Sequence, residues 1–524
     1  MTPLLTVPQA VAAHARIDPD RAAAKDSRRT LSFAQWDERA NRLANALLGM
    51  GLRKGDRVAI LAYNCIEWAE MYVGLGKAGL IAVPVNFRLL GPEIRYIARD
   101  AGARAFIVQD ELRGSVASIR AELDIPDANY VHIGRQPAPA GYVAYEALLS
   151  RAAAGAPGVT VAPQDTWALM YTSGTTGNPK GAIRSHASQA LMALVTALDF
   201  GFSRGDAGLL VMPMCHANSL NFFSSFAYCG ATCGVYDRHS FDPEHLLATL
   251  SAQHVSFTSL VPTHYIMTLG LSQAVKSRYD VASVNKLLIS SAPARRETKL
   301  AIMEHFRNSR LYELYGSTEA GWVTLLRPDE QLTKLGSVGR EFTGTGRVRL
   351  LDEAGNDVPD GEVGELYSRT PYSFDGYWNL PDKTAEAFRG DYCTVGDMAR
   401  RDAEGFYHLV DRKKNMIISG GENVYPSEVE NLLARHPAVK DVAVIGVPHE
   451  KWGEAVHAVV VLNATGAVSE ADLLEWCRDK LAGYKRPRSI SFMRDEDVPR
   501  TATGKIQHRL LRERIVGSLN TTGR

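Results

Sequence analysis

Tyr171-Thr-Ser-Gly-Thr-Thr-Gly-Asn-Pro-Lys-Gly181 is a run of small hydroxyl residues and glycines around one lysine, Lys180. It follows Trp167–Met170, a short apolar run that reads as the end of a buried strand. Backbone N–H groups freed by glycine, the hydroxyls of Thr172, Ser173 and Thr175, and one cation suit a polyphosphate. The loop is not of the Walker type, which needs a glycine directly before the lysine and a Ser or Thr directly after it. Here Pro179 precedes Lys180 and Gly181 follows. A surface loop rich in turn residues has the same composition. The preceding strand and the Pro-Lys-Gly ending favour the phosphate site.

Upstream, helix and strand patterns alternate. Ser32-Phe-Ala-Gln35 reads as a capping box, with Trp36, Ala40, Leu43 and Leu47 on one face of the helix it starts. Gly51 closes that helix, and Val58–Leu61 reads as a buried strand. Short apolar strands recur at Ala82–Val85 and Ala105–Val108. This rhythm argues for mostly parallel sheets covered by helices. Residues 152–157 form the most linker-like segment, just before the phosphate loop.

Downstream, the texture changes near residue 345. Val348–Leu351, Gly364–Tyr367 and Gly405–Val410 are short strands between Gly- and Asp-rich turns, which predicts a small β-rich lobe. After the basic cluster Asp411–Lys414 the alternation resumes, with a helix opened by Pro426 and strands at Val442–Ile445 and Ala458–Leu462. The expected division is therefore 1–411 and 412–524, the second part being a small separate α+β domain.

The chain has 524 residues, more than one hydrophobic core usually serves. Its 45% hydrophobic and 22% charged residues are ordinary for a soluble protein, and its net charge of +1 gives no bulk signal for nucleic acid or an anionic membrane. Cys65, Cys215, Cys229, Cys233, Cys393 and Cys477 are scattered without a zinc-like pattern, so free thiols in a reducing, cytoplasmic setting are expected. The sequence shows neither a signal-peptide pattern nor an apolar run of about twenty residues.

Four further segments each supply a part of nucleotide chemistry. Tyr312–Gly321 (YELYGSTEAG) offers Tyr315 to stack on a base and Glu319 to hold Mg2+. Asp397, in Thr394–Asp397, is suited to ribose hydroxyls, and Arg412 to the same sugar or a phosphate. Pro499–Lys505 (PRTATGK) places one lysine after a flexible glycine. Singly, each has a plain alternative: a loop carboxylate, a turn cap, a surface lysine. Together with Asp411–Glu428 they stand in the order of the adenylate-forming superfamily, and the chain resembles that superfamily over nearly its whole length. Its branches are acyl-CoA synthetases, peptide adenylation domains and firefly-type luciferases.

The resemblance implies an α/β fold: a large N-terminal domain with two α/β sublobes and a β-rich lobe, then a small mobile α+β domain. It implies ATP, Mg2+ and CoA as reaction partners. Thr172, Ser173, Gly174, Thr175, Thr176, Gly177 and Lys180 would surround the β- and γ-phosphates. Ser291, Ala292 and Pro293 would line the adenine, with Tyr315 stacked on it and Gly316 beside it. Thr318 and Glu319 would sit by the α-phosphate and Mg2+, Asp397 and Arg412 would hold the ribose, and Lys414 would be the hinge. Lys505 would contact the acyl carboxylate and the α-phosphate while the acyl-adenylate forms.

Peptide-type domains carry a pocket Asp for the substrate's ammonium. The matching segment, Met212–Ser219, has none, which points away from amino acids. His216 matches the gating aromatic position of acyl- and aryl-CoA ligases; read alone, it is a core histidine with both nitrogens bonded. Gly420, Gly421, Trp452, Tyr484 and Arg486 resemble residues that face CoA, although Trp452 serves equally as a packing residue. Asn218, Asn221, Phe222, Val261, Pro262, Trp322 and Thr324 would build the acyl pocket. Its mixture of aromatic and polar side chains suits a functionalised or ring-bearing acid. The expected activity is ATP-dependent ligation of a small carboxylic acid to CoA. Loading of a carrier-protein thiol and luciferase-type oxygenation remain the alternatives, and a homodimer stays open.

Overall fold

This computed structural model describes residues 4–134, 137–172, 178–290, 294–419, 422–463, 468–478, 480–500 and 504–522. The chain forms two compact units, Met1–Val348 with Tyr367–Val395, and Arg349–Leu366 with Gly396–Arg524.

The first unit carries two large sheets. One has seven strands in the order Val143–Ala144, Tyr130–Ile133, Ala103–Gln109, Arg57–Leu61, Ile81–Pro84, Thr166–Thr172 and Lys180–Ser185. Its pairings are parallel until the last, where Lys180–Ser185 turns back along Thr166–Thr172. The other has nine strands, its parallel centre running from Arg310–Ser317 through Lys286–Ser290, Phe257–Leu260, Ala207–Leu210 and Thr232–Val235 to Ala22–Lys25. Antiparallel strands close both ends. The helix–strand rhythm of the sequence is thus a pair of α/β sublobes.

The capping box forms as read: Ser32 accepts from the Gln35 N–H, Gln35 returns a bond to the Ser32 N–H, and the helix runs Phe33–Gly49. Its apolar face, Trp36, Ala40, Leu43 and Leu47, is fully buried. One hydrophobic core serves both sublobes, joining Trp36, Tyr72 and Trp167 to Phe200, Phe222, Phe226, Phe257 and Trp322. Its aromatic polar atoms are satisfied, as burial requires. Trp36 Nε1 donates to the Ala69 carbonyl at 2.9 Å, Trp167 Nε1 to Tyr72 at 2.9 Å, and the Tyr72 hydroxyl to Met214 at 2.7 Å.

In the second unit, Arg349–Leu351, Val363–Tyr367, Asp397–Arg401 and Tyr407–Arg412 make the expected β-rich sheet. A further sheet follows, in which Gly453–Leu462 pairs antiparallel with Val439–His449 and parallel with Ser489–Phe492. Helix Pro426–Leu433 starts at its proline, and helix His508–Thr522 sets Leu511 and Ile515 against Ala443, Ile445 and Val447. The β-rich strands thus fall in the same compact unit as the C-terminal residues, and the division expected at 411/412 is taken up with function below. All six cysteines are free, and Cys229 alone of them is not fully buried.

The nine-stranded sheet encloses an ion pair. Lys286 Nζ lies 2.8 Å from Asp206 Oδ1, and the two side chains are 7% and 8% exposed. Burial alone would raise the Asp206 carboxyl; bonds from Lys286, Ser256 and the Ser203 N–H outweigh it and hold the group below its usual value. Lys286→Met strands this carboxylate and is expected to cost about 3–5 kcal/mol. The urea midpoint of unfolding reads that loss, and an unchanged midpoint would contradict a stabilising role for the pair.

Candidate active site

The two strands that flank the loop 173–177 are held in register at its ends. Thr172 and Lys180 are directly paired across the antiparallel strands, as are Tyr171 and Gly181. The two ends of the loop are therefore fixed side by side. The loop residues Ser173, Gly174, Thr175, Thr176 and Gly177 lie outside the described residues, as do Ser291, Ala292 and Pro293 and the pair Gly420 and Gly421.

Glu319 meets the loop end from the other sheet. It sits in the turn between strands Arg310–Ser317 and Gly321–Leu326 and is buried. Its Oε1 accepts from the Tyr377 hydroxyl at 2.9 Å and from Thr172 Oγ1 at 3.3 Å. Gly316 permits this turn: a Cβ there would lie 2.2 Å from the Gly321 carbonyl oxygen, and Gly321 itself has φ +74°. On the first of these strands, Tyr315 is half-buried opposite Thr324. Lys180 Nζ stands 3.9 Å from the centre of the Tyr377 ring. Burial lowers the Lys180 ammonium from its ordinary value, and Glu319 opposes that shift. Thr172, Lys180, Glu319 and Tyr377 thus form one polar cluster at the edges of both sheets.

Arg184 lies behind this cluster, 2% exposed, with Nη1 3.5 Å from the Thr318 carbonyl. Burial lowers it to about 10, opposed by Asp375 and Glu319. Neither Arg184 nor Tyr377 stands out in the sequence. Tyr377 reaches Glu319 across 58 positions, and no local pattern announces that contact.

A Mg2+ ion fits the Glu319 carboxylate in a limited way. Among the described residues no group of three or more His, Cys, Asp or Glu is arranged to hold a metal ion, so one protein carboxylate would share the ion with phosphate oxygens. Mg2+ is commonly held in that manner.

In the second unit, Asp397 and Arg412 are register partners across a β-hairpin, and Arg412 Nε lies 3.0 Å from Asp397 Oδ1. Lys505 belongs to the same neighbourhood. Its residue is solvent-exposed, yet the withdrawal of water by surrounding protein, with Arg412 adding to it, lowers its ammonium, and Asp397 opposes the shift. Lys414 is exposed on the short turn Lys413–Asn415. Trp452 has two cations on its ring, Lys451 Nζ at 4.9 Å and Arg488 Cζ at 5.0 Å. Tyr484 is exposed, and Arg486 Nε donates to the Leu481 carbonyl at 2.9 Å.

The residues expected at the acyl group fall into two sets. Phe222 is fully buried against Phe200, Phe257 and Trp322, and Thr324 donates to the Val338 carbonyl at 2.7 Å, so both are core members. Trp322 Nε1 donates to Thr196 at 2.9 Å, and the buried Asn221 accepts from Gln189 Nε2 at 2.9 Å. Asn218, Val261 and Pro262 are only partly buried, Val261 capping the helix Pro262–Leu269. His216 precedes helix Ala217–Cys229 and, among the described residues, its Nε2 has no partner, unlike a doubly bonded core histidine. Burial, with a smaller contribution from Arg88, lowers it to about 4, and His264 is lowered likewise. His216 is therefore neutral at pH 7. Its imidazole resonances, assigned by comparison with His216→Gln, should hold their neutral positions from pH 8 to pH 5; a midpoint near the free value of about 6.5 would contradict the burial argument.

With this geometry in place, comparison with known proteins identifies the family. The model of the AMP-binding enzyme family matches residues 11–378, and that of the AMP-binding enzyme C-terminal domain matches residues 428–505. A feruloyl-CoA synthase from Amycolatopsis sp is 36% identical over 508 residues, covering 96% of this chain and 97% of its own length. The anthranilate CoA ligase AuaEII, solved with anthranoyl-AMP, superposes with a TM-score of 0.86 at 29% identity, covering 98% of each chain. The o-succinylbenzoate CoA synthetase of Bacillus subtilis, solved with ATP and magnesium ion, gives 0.83 at 26% identity, covering 96% of this chain and 98% of its own. The chain belongs to the AMP-binding enzyme family.

Proposed function

We propose that this protein is an ATP-dependent carboxylic acid–CoA ligase working through an acyl-adenylate, and that its acid bears a ring. The observation that carries the ligase reading is likeness from end to end, over 96% of the chain, to a feruloyl-CoA synthase. Feruloyl and anthranoyl groups, named in two of the similar proteins, are ring-bearing acyl groups. The polar side chains of Asn218 and His216, both only partly buried, favour the same class.

A carboxylate is a poor acyl donor because its leaving group would be oxide. Attack of a carboxylate oxygen on the ATP α-phosphorus forms the mixed anhydride and expels pyrophosphate. A CoA thiol then attacks the acyl carbon, and AMP departs. The first step gathers anions, so its catalysis is positioning and electrostatic stabilisation. Lys180 and Thr172, with the loop 173–177, serve the β- and γ-phosphates. Residues 291–293 and Tyr315 serve the adenine, and Asp397 and Arg412 the ribose. Lys505 joins the acyl carboxylate to the α-phosphate. Glu319 would hold Mg2+, which would supply neutralisation of the phosphate charge. Tyr377 and Thr172 orient that carboxylate from behind.

The second step needs a thiol where Lys505 acted, which gives the turn about Lys414, and the division at 411/412, its purpose. Lys451 and Arg488 around Trp452, with Tyr484 and Arg486, are suited to the phosphates and adenine of CoA.

A panel of ferulate, anthranilate, indoleacetate, 2-succinylbenzoate and octanoate, each with ATP and Mg2+, tests the proposal through pyrophosphate release with and without CoA. A ring-bearing acid should give sustained turnover only with CoA, yielding AMP and a soluble thioester. A single burst of pyrophosphate that CoA does not prolong would mean another acceptor. A preference for octanoate would overturn the choice of acid.

A further inference from the structure

The segment that carries Lys505 is tied down at two places of different chemistry. Its base is closed by main-chain bonds: the Gln507 N–H donates to the Pro499 carbonyl at 2.8 Å, and Arg500 and Ile506 form an antiparallel bridge. Gln507 Nε2 donates to the Arg500 carbonyl at 2.9 Å, and Arg500 Nη1 to the Gly504 carbonyl at 3.2 Å. On one side Arg500 Nη2 holds Asp441 at 2.6 Å and Asp495 at 2.8 Å. That tie is permanently charged, because a guanidinium keeps its proton.

The other tie is not. His508, three positions beyond Lys505, opens helix His508–Thr522 and places Nε2 2.8 Å from Glu430 Oε1. The Ile506 main chain, next to Lys505, also acts on the ring and helps to raise it. Glu430 is itself fixed, since the same Oε1 accepts from the Val444 N–H at 2.8 Å. It lies on helix Pro426–Leu433, whose start is bound to the residue before Arg412: the Ser427 N–H donates to Asp411 Oδ2 at 2.9 Å. Asp411 also accepts from the Arg412 N–H at 2.6 Å. A short path therefore runs from Arg412 through Asp411, Ser427, Glu430 and His508 to the neighbour of Lys505, and the charge on its His508–Glu430 link depends on a proton.

We propose that His508 is a positioning residue: paired with Glu430 it braces the Lys505 segment, so that formation of the acyl-adenylate, but not of the thioester, depends on His508 being protonated. This rests on the reading above that Lys505 serves the first step. The charged groups around His508 agree with it. Glu430 faces it from helix Pro426–Leu433, and Asp411 acts from strand Tyr407–Arg412. On its own helix Arg509 is engaged by Glu513 and Arg512 by Glu454, while Asp441 of strand Val439–His449 is engaged by Arg500. Burial alone would lower the imidazole; the bond and charge of Glu430, then Asp411, outweigh it and raise the group above its ordinary value. The sign follows: the brace is complete below the ordinary histidine range of about 6.5 and is lost as pH rises through the raised value.

The test separates the half-reactions between pH 6 and pH 9, using the panel acid with the fastest turnover. Pyrophosphate release without CoA reads the first step, and thioester formation from supplied acyl-adenylate reads the second. In the natural sequence the first step should decline on the alkaline side while the second does not. His508→Arg keeps a charge at every pH and should flatten that decline. His508→Gln keeps a donor without a charge and should slow the first step about tenfold or more at pH 6.5, because a misplaced reacting group costs that much, with the second step within about twofold. An alkaline decline unchanged in His508→Arg would assign it to Lys505 itself and overturn the brace, as would equal loss of both half-reactions in His508→Gln. Lys505→Ala is the control for the underlying reading. If it retains the first step, that reading fails and the brace with it; if it loses only the first step, any failure belongs to the brace alone.

Discussion

The buried carboxylate of Glu319 is the constraint around which the first unit is arranged. A carboxylate withdrawn from water is costly unless its oxygens are bonded. Its bonds come from distant parts of the chain: Thr172 at the end of a strand of the seven-stranded sheet, and Tyr377 beyond the last large strand. Satisfying one buried charge thus aligns the edges of two sheets and sets Thr172, register partner of Lys180, beside it. The tight Gly316–Gly321 turn and the shared aromatic core hold the same alignment from behind. The polar bonds of Glu319 and the packing behind it require the same placement of strands.

Lys180 and Lys505, the lysines proposed to serve ATP, are both kept below their usual basicity, each within its own unit. Desolvation does this for Lys180, with Glu319 resisting; desolvation by surrounding protein, together with Arg412, does it for the exposed Lys505, with Asp397 resisting. A cation whose charge is incompletely compensated gains most when an anion arrives. Polyphosphate and carboxylate are such anions, and one placed beside either ammonium opposes the lowering. Preorganisation of this kind fits chemistry in which the protein forms no bond to the substrate and works by field and position.

The sequence made most of the fold legible where the determinants are local. The Ser32–Gln35 capping box and its buried stripe at Trp36, Ala40, Leu43 and Leu47 appear as read, because a cap and a 3.6-residue period are written within one helix. The phosphate loop and the Asp397 and Arg412 sites were legible as types of residue; their pairing at 3.0 Å follows from hairpin register, which single residues do not declare. Tyr377 and Arg184 went unseen because their partners are remote in sequence. Phe222 reads as pocket lining because helix Ala217–Cys229 is apolar over much of its surface. A helix buried on most sides has no polar stripe to show which face meets a ligand, and the Phe222 ring packs into the core. His508 has the look of one more surface residue in the sequence, because Glu430, which holds it, is 78 positions away.

The mixed anhydride between acyl group and AMP is the centre of the proposed chemistry, and oxygen labelling follows it most directly. The ring-bearing acid, labelled with heavy oxygen in its carboxylate, is turned over with ATP and CoA, and the products are read by mass spectrometry. Attack of the carboxylate on the α-phosphorus predicts that each AMP carries one labelled oxygen and that pyrophosphate carries none. Label in inorganic phosphate with ADP as coproduct, or AMP free of label, would contradict an acyl-adenylate and the part of Lys505 in forming it.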